Sequence, residues 1–251
     1  MALERLGLDW ASWSECGQEH LERYLFASER IRGARVLDIA CGTGYGSWVL
    51  AQAGASAVVG VDRDEEAVVG AAKQFQRPNL SFRRVAAEEL GTKGEFDAVV
   101  SFETIEHVPD PKGFIALLRG ALRPGGTLIL SSPNPLLHSK EPGADPNPYH
   151  IEEPTHDQLM EWMRPHFSEF EHYGQFRTFY GTSYEHTRLT ALSRSRFLKL
   201  ILSAESVLRK VMGQPPLEQP IVSHRLVSTR QILPLPPTMR EFCQNFVIVA
   251  R

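Results

Sequence analysis

The most informative stretch of the sequence joins a short apolar run to three glycines. It reads Val36-Leu37-Asp38-Ile39-Ala40-Cys41-Gly42-Thr43-Gly44-Tyr45-Gly46. Glycines at the carboxyl end of a buried strand allow a tight turn and let a ligand come close to the backbone. Asp38, just ahead of the turn, would repel a pyrophosphate and attract a ligand that carries an amino group and a sulfonium. The pattern therefore favours a cationic ligand over a dinucleotide.

A second acid lies about twenty residues beyond the glycine loop. Asp62 ends the apolar run Val58-Val59-Gly60-Val61. At the end of a strand its two oxygens can accept hydrogen bonds from both hydroxyls of a ribose. Together with the glycine loop, Asp62 indicates a ligand that contains a nucleoside.

Two glutamates and a histidine form another group, in Phe102-Glu103-Thr104-Ile105-Glu106-His107-Val108. The group follows a predicted strand, at the sheet edge where ligands of open α/β proteins bind. In one interpretation Glu103 or His107 is a general base for an acceptor hydroxyl. In a second, Glu103, Glu106 and His107 bind a divalent cation that activates the hydroxyl. In a third, one glutamate caps the next helix and His107 packs on the sheet.

Alternating strands and helices must position these residues. β-branched runs predict strands at 35–40, 57–61, 80–85, 96–102 and 126–131. Helical spacing, with capping signals such as Asp64 and Thr155, predicts helices at 45–53, 64–75, 111–122 and 155–167. A helix at 18–31 precedes them, and two more strands are predicted at 169–176 and 245–250. The fold class expected is α/β, a doubly wound, Rossmann-like sheet of seven strands with helices on both faces.

The organisation predicted for the chain has three parts. Residues 1–34 form an N-terminal helical cap, and residues 35–176 with 241–251 form the ligand-binding catalytic domain. Residues 177–240 form an insertion before the last strand, with no clear strand and with an amphipathic helix at 197–212.

The charge of the chain is divided unevenly. The formal net charge is −3, which argues against a dedicated DNA-binding protein. The insertion holds ten Lys or Arg residues and three Glu, a local net of +7, so the remainder is acidic. The insertion is either a lid or dimer segment with a solvated charged face, or a surface that meets an anionic, lipid-linked acceptor or membrane.

Cysteine usage and hydropathy bear on the compartment. The three cysteines are widely spaced and form no CxxC, so neither a disulfide framework nor a zinc site is indicated. The chain has no signal-peptide pattern and no run of about 18 apolar residues. A cytoplasmic location is expected.

With these residues in view, the sequence resembles the class I S-adenosylmethionine-dependent methyltransferases over residues 20–176 and the last strand. The resemblance implies that Asp38, Gly42 and Gly44 surround the methionine part of the cofactor and that Asp62 holds its ribose. It also implies adenine contacts from Ala87 and Glu88. The rest of the cofactor-binding set expected on this resemblance is Tyr24, Thr43, Arg63 and Phe102.

The ExxEH motif resembles that of the ubiquinone-pathway O-methyltransferases and of the small-RNA 3′-end 2′-O-methyltransferases. In those families the matching positions bind a metal. Asn147-Pro148-Tyr149-His150 stands where the RNA enzymes place a further histidine. The resemblance therefore implies Glu103, Glu106, His107 and His150 as metal ligands, for Mg²⁺ or another divalent cation, and Glu103, His107 and His150 as catalytic residues.

The expected function is S-adenosylmethionine-dependent O-methylation. Resemblance to bacterial enzymes of glycan and natural-product pathways implies a sugar, glycolipid or secondary-metabolite hydroxyl as acceptor. A quinone-type O- or C-methyltransferase is the alternative within this class. From other classes, a non-catalytic cofactor-binding module remains open, whereas a nicotinamide oxidoreductase would need Gly46 one position later and no Asp38.

Overall fold

The structure, a computed structural model, describes residues 15–86, 89–91, 93–138, 148–176, 232–237, 240 and 243–251. These residues form one eight-stranded sheet with flanking helices. The strands are β1 (Arg35–Ile39), β2 (Ala57–Asp62), β3 (Leu80–Arg84), β4 (Phe96–Ser101), β5 (Leu122–Pro133), β6 (Phe170–Gln175), β7 (Ile232–Pro234) and β8 (Asn245–Ala250). The helices are α1 (Glu15–Ser28), α2 (Tyr45–Gln52), α3 (Glu65–Gln74), α4 (Pro111–Ala121), α5 (Pro135–His138) and α6 (His156–Met163), and a 3-10 turn (Ile105–His107) follows β4.

The order of the strands reverses at one point of the sheet. The order is β3-β2-β1-β4-β5-β8-β6-β7, in which β1 to β5 run parallel and β8 lies antiparallel between β5 and β6. The direction of winding reverses between β1 and β4, and ligands of such sheets bind at the carboxyl ends of the strands beside that point. The α/β doubly wound fold class is thereby confirmed.

Side chains cap the first turns of three helices, at Asp64 and Thr155 as predicted and also at Asp110. Asp64 and Asp110 each accept a hydrogen bond from the backbone N–H three residues on, at 3.0 and 2.9 Å, ahead of α3 and α4. Thr155 forms a capping box with Gln158 at the start of α6. These caps satisfy backbone donors that no helical carbonyl can reach.

The two faces of the sheet bury separate apolar clusters. Leu37 of β1 joins the cluster covered by α4 and α6, whereas its neighbour Val36 joins the cluster covered by α1, α2 and α3. Successive side chains of a strand point to opposite faces, which explains this division. Every residue of β8 is buried, as its unbroken apolar run predicts for a strand covered on both faces.

Two details of the sheet differ from prediction. β7 lies inside the stretch 177–240, so the expectation of no strand there is wrong for these three residues. β7 pairs with β6 at the outer edge, and so short a strand leaves no alternation to detect. β5 begins at Leu122 because this residue pairs with Phe96 across an irregularity that the sequence does not reveal.

The predicted helix at 197–212 lies outside the described residues, as do all residues from 177 to 231 of the basic insertion 177–240. In the part of the chain that is described, no helix is both long and apolar enough to cross a membrane.

Candidate functional site

The glycine loop between β1 and α2 makes a turn with three residues at positive φ. Ala40, Gly42 and Gly44 have φ values of +57°, +54° and +82°. A Cβ on Gly44 would stand 2.5 Å from the Cβ of Ala71, so α3 leaves room only for glycine. At Gly42 no atom lies within 4 Å of where a Cβ would stand. The loop is therefore closed toward the protein at Gly44 and open to a ligand at Gly42.

Asp38 is buried beneath this loop between two hydroxyl donors. Its carboxylate accepts hydrogen bonds from Ser47 Oγ at 2.6 Å and from Tyr24 Oη at 3.1 Å. Burial raises the pKa of Asp38 to about 7, against the two hydrogen bonds, which lower it. A cationic ligand beside Asp38 would favour the ionised carboxylate, because the charge of the ligand would compensate for the hydration lost on burial.

Helix α1 closes over the loop through an aromatic side chain. A Cβ on Gly46 would stand 2.0 Å from the ring of Tyr24, so the glycine makes space for that ring. Tyr24 also meets Phe102 and Tyr45 edge to face, with ring centroids 5.1 and 5.7 Å apart. Burial lowers the pKa of the neighbouring His20, so its ring is neutral and adds no positive charge beside a cationic ligand.

Asp62 ties the glycine loop to the end of β2. Its Oδ2 accepts from the N–H of Gly42 at 2.9 Å, and its Oδ1 accepts from the N–H of Asp64 at 2.9 Å. The Asp62 charge also raises the pKa of Asp38, although burial is the larger cause. Two carboxylates, Asp38 and Asp62, therefore lie close together beside the glycine loop.

Glu103 is held by residues from three other elements. Its Oε1 accepts from Ser131 Oγ and its Oε2 from Asn245 Nδ2, both at 2.6 Å, and Arg23 Nη2 lies 3.9 Å from Oε2. Ser131 Oγ also accepts from the Glu103 N–H at 3.2 Å. The φ of Glu103 is +47°, a conformation that persists in non-glycine residues only where the surroundings enforce it.

Glu106, His107 and His150 form the group that could hold a metal ion. One ligand atom from each lies within 4.8 Å of the others, slightly wider than the ~3–4 Å expected between ligands of one ion. The Glu106 side chain is buried, and neither carboxylate oxygen has a hydrogen-bond partner among the described residues. Burial and the nearby charge of Glu103 hold the pKa of Glu106 well above its usual range.

The ring nitrogens of His107 and His150 make specific contacts with oxygen atoms. His107 Nδ1 lies 3.0 Å from the carbonyl oxygen of Tyr149, and His150 Nδ1 lies 2.5 Å from Glu153 Oε1. His107 Nε2 lies 3.9 Å from Glu106 Oε1. The residues therefore fit a cation with oxygen and imidazole ligands, because a buried carboxylate with no hydrogen-bond partner faces a histidine ring nitrogen.

Most predicted site residues lie in two neighbouring groups at the carboxyl edge of the sheet. Tyr24, Asp38, Gly42, Thr43, Gly44, Asp62 and Phe102 lie in or beside the glycine loop. Arg63 is exposed beyond β2, and Ala87 and Glu88 lie outside the described residues. Glu103 is the one predicted metal ligand that does not join the group of Glu106, His107 and His150.

Several site residues were not predicted from the sequence. They are Arg23, Tyr45, Ser47, Ser131, Glu153 and Asn245. Ser131 offered a signal, because it is a polar residue directly after the apolar run Leu128-Ile129-Leu130. The others lie in helices, at a strand start or in a loop, where such residues are ordinary.

Comparison with known proteins shows the family to which the chain belongs. Residues 4–179, more than half of the chain, match the family described as "Methyltransferase domain". The fold agrees with a solved S-adenosylmethionine-dependent methyltransferase from Mesorhizobium loti, at a TM-score of 0.58 and 15% identity over 95% of this chain and 100% of that one. The [4+2]-cyclase SpnF has a similar fold, at a TM-score of 0.57 and 16% identity over 98% of this chain and 85% of that one.

Curated relatives match in sequence as well. An enzyme named ubiquinone biosynthesis O-methyltransferase from Methylococcus capsulatus is 35% identical over 117 residues, which cover 45% of this chain and 48% of that protein. The enzyme of the same name from Pseudomonas aeruginosa is 38% identical over 109 residues, which cover 41% of this chain and 46% of that protein. The match spans about half the length of these relatives. With its glycine loop and doubly wound sheet, which agrees with the fold of a solved S-adenosylmethionine-dependent methyltransferase, the chain belongs to the methyltransferase domain family.

Proposed function

We propose that this protein transfers a methyl group from S-adenosylmethionine to a hydroxyl of a small acceptor. The observation that carries the proposal is that two groups of side chains lie at the carboxyl ends of neighbouring parallel strands. Asp38 and Asp62 lie near the ends of β1 and β2, and Glu103, Glu106 and His107 follow β4, with His150 beside them. Such an arrangement suits transfer from a cationic donor to a hydroxyl that must lose its proton.

The cofactor side contributes binding and alignment. Bound S-adenosylmethionine supplies a methyl group on a positively charged sulfur, which is already a good leaving group. Asp38 balances the positive charge of the ligand, and Asp62 provides the oxygens for the ribose hydroxyls. Tyr24 covers the loop and limits the access of water, which strengthens these electrostatic contacts.

The acceptor side contributes a proton acceptor. We place Glu106, His107 and His150 as ligands of a divalent cation, because the two oxygens of the buried Glu106 carboxylate have no donor among the described residues. A bound cation of this kind would lower the pKa of the acceptor hydroxyl and orient it. We assign to Glu103, whose carboxylate is held by Ser131 and Asn245, the role of accepting a hydrogen bond from the acceptor.

A metal-free reaction is the second candidate, and His107 favours it. Its Nδ1 donates to the Tyr149 carbonyl, so a neutral ring carries its lone pair on Nε2, and the side chain is 26% exposed. His107 would then take the hydroxyl proton directly. Removal of metal by a chelator separates the candidates, because full activity in metal-free protein contradicts the cation and supports His107.

The acceptor class is proposed from two sources that differ. The printed names of the relatives favour a quinone-type hydroxyl, whereas the resemblance noted in the sequence favours a sugar or secondary-metabolite hydroxyl. The basic segment 177–240 supports an anionic or lipid-linked acceptor, or contact with an anionic membrane surface. Dimerisation through the same segment is the other proposal for it.

The first experiment is a titration calorimetry comparison of S-adenosylmethionine with NAD. We expect binding of S-adenosylmethionine alone, with Asp62→Asn weakening it and Asp97→Asn leaving it unchanged. Asp97 is the control because it contacts the Arg35 N–H at the opposite end of the sheet. Transfer of labelled methyl is then measured on panels of aromatic and sugar hydroxyls. Binding of NAD alone would overturn the proposal, and binding without transfer to any hydroxyl would favour a non-catalytic module.

A further inference from the structure

Both imidazoles of the Glu106 group use Nδ1 for contacts with oxygen acceptors. The acceptors are the Tyr149 carbonyl, 3.0 Å from His107, and Glu153 Oε1, 2.5 Å from His150. A carbonyl or an ionised carboxylate only accepts, so each Nδ1 carries the hydrogen. In a neutral ring the lone pair then stands on Nε2, the nitrogen that could bind a cation or take a proton.

The two acceptors belong to one short segment that is fastened to the 3-10 turn. The backbone N–H groups of Ile151 and Glu152 donate to the Glu106 carbonyl at 2.8 and 3.3 Å. At its other end the segment leads into the cap at Thr155. Residues 149–153 therefore hold a fixed register with Glu106 and His107.

The contact between His150 and Glu153 is partly shielded from water. Their side chains are 15% and 19% exposed, so solvent screens this pair less than a surface ion pair. The adjacent Glu152 is exposed and accepts from Gln158 Nε2 at 3.2 Å instead. Two neighbouring glutamates thus have different roles, which provides a matched control.

We infer that Glu153 is a positioning residue: its carboxylate holds the His150 ring with the hydrogen on Nδ1 and turns Nε2 toward Glu106 and His107. The inference rests on the proposed role of that group in binding a divalent cation. Histidines that bind metals generally donate from their other nitrogen to an oxygen acceptor, which fixes the ring and makes it a better ligand. Glu153 supplies this acceptor for His150, as the Tyr149 carbonyl does for His107.

The test uses the full chain, Mn²⁺ as the probe, and three variants. Glu153→Ala removes the acceptor, Glu153→Gln keeps an acceptor oxygen without the charge, and Glu152→Ala is the control. Mn²⁺ affinity is measured by the electron paramagnetic resonance signal of the free ion. The hydrogen position on His150 is measured by ¹⁵N NMR of labelled histidine in metal-free protein.

We expect Glu153→Ala to weaken Mn²⁺ binding by about 10- to 100-fold and to lose the Nδ1–H signature of His150. Glu153→Gln should be intermediate, and Glu152→Ala should match the wild type. The affinity for S-adenosylmethionine should be unchanged in all three, which separates a positioning effect from a folding defect.

Two outcomes would contradict different proposals. If Glu153→Ala binds Mn²⁺ as the wild type does, or keeps the Nδ1–H signature, the inference for Glu153 is overturned. If the wild type itself binds no Mn²⁺, the proposed cation role fails. In that case the NMR comparison alone decides whether Glu153 positions His150.

Discussion

Asp38 should make cofactor binding depend on pH near neutrality. Burial raises the pKa of this carboxyl from 3.8 to about 7 in the ligand-free protein, whereas a cationic ligand selects the ionised form. At a pKa of about 7 the carboxyl is ionised in about 9% of molecules at pH 6 and about 91% at pH 8. The dissociation constant for S-adenosylmethionine should therefore be about tenfold higher at pH 6 than at pH 8, which is a loss of ~1.4 kcal/mol in binding free energy.

The assay is titration calorimetry at half-unit steps from pH 5.5 to 8.5, on the wild type and on Asp38→Asn. The amino group of the ligand, with a pKa of about 8, titrates identically with both proteins. The difference between the two proteins in how the dissociation constant depends on pH therefore reports the ionisation of Asp38. Repeating the titration at pH 6 in two buffers of different ionisation enthalpy should reveal release of about 0.9 proton per ligand in the wild type only.

The prediction is contradicted if the dissociation constant depends equally on pH in the folded wild type and in folded Asp38→Asn. Equal dependence would mean either that Asp38 is already ionised at pH 6 or that its charge does not act on the ligand. Thermal unfolding of Asp38→Asn provides the control, because Asn can still accept hydrogen bonds from Tyr24 and Ser47.

Three further predictions concern stability. Gly46→Ala should destabilise the protein by ~1–3 kcal/mol and weaken cofactor binding, because the added Cβ would overlap the Tyr24 ring. Gly70→Ala, in open space on α3, should stabilise the protein slightly, and thermal unfolding and calorimetry check both variants. Burial is the main cause that raises the pKa of Glu22 to about 8, so the free energy of unfolding should fall as pH rises from about 4.5 to 8, by at most ~1.4 kcal/mol per pH unit. Urea unfolding of Glu22→Gln should show a weaker dependence of this free energy on pH between pH 5 and 7.5, and an unchanged dependence would contradict the assignment. Ser131→Ala should lower the free energy of unfolding, measured in urea, by ~1–3 kcal/mol, because Glu103 loses a hydrogen-bond donor. Ser132→Ala, at the buried neighbouring residue, should lower it less, and equal losses in the two variants would argue against the role of Ser131.

The cofactor side of the site could be predicted from the sequence because it depends on local pattern. The turn at Gly42 and Gly44, and the acids at the ends of β1 and β2, occupy fixed positions relative to their strands. Parallel pairing of β1 with β2 then brings Asp38 and Asp62 to the same edge. The helix caps at Asp64 and Thr155 are similarly local, and they were predicted correctly.

The acceptor side could be predicted only in part. The motif identified Glu106, His107 and His150 as neighbours, but it also grouped Glu103 with them. The partners that draw Glu103 away are Arg23 on α1, Ser131 on β5 and Asn245 on β8, and Asn245 is 142 residues distant in the chain. No periodicity in the sequence encodes such a contact.

The sequence by itself determined most of the strands and helices, the glycine loop and the kind of ligand proposed for it, because hydrophobic period, turn geometry and charge act over a few residues. Only the tertiary structure decided which carboxylates face a donor and which lack one. That choice depends on the antiparallel register of β8 between β5 and β6, which brings Asn245 to Glu103 and leaves Glu106 with His107 and His150. Register is set by packing across the whole sheet, so residues far apart in the chain become partners only once the sheet has formed.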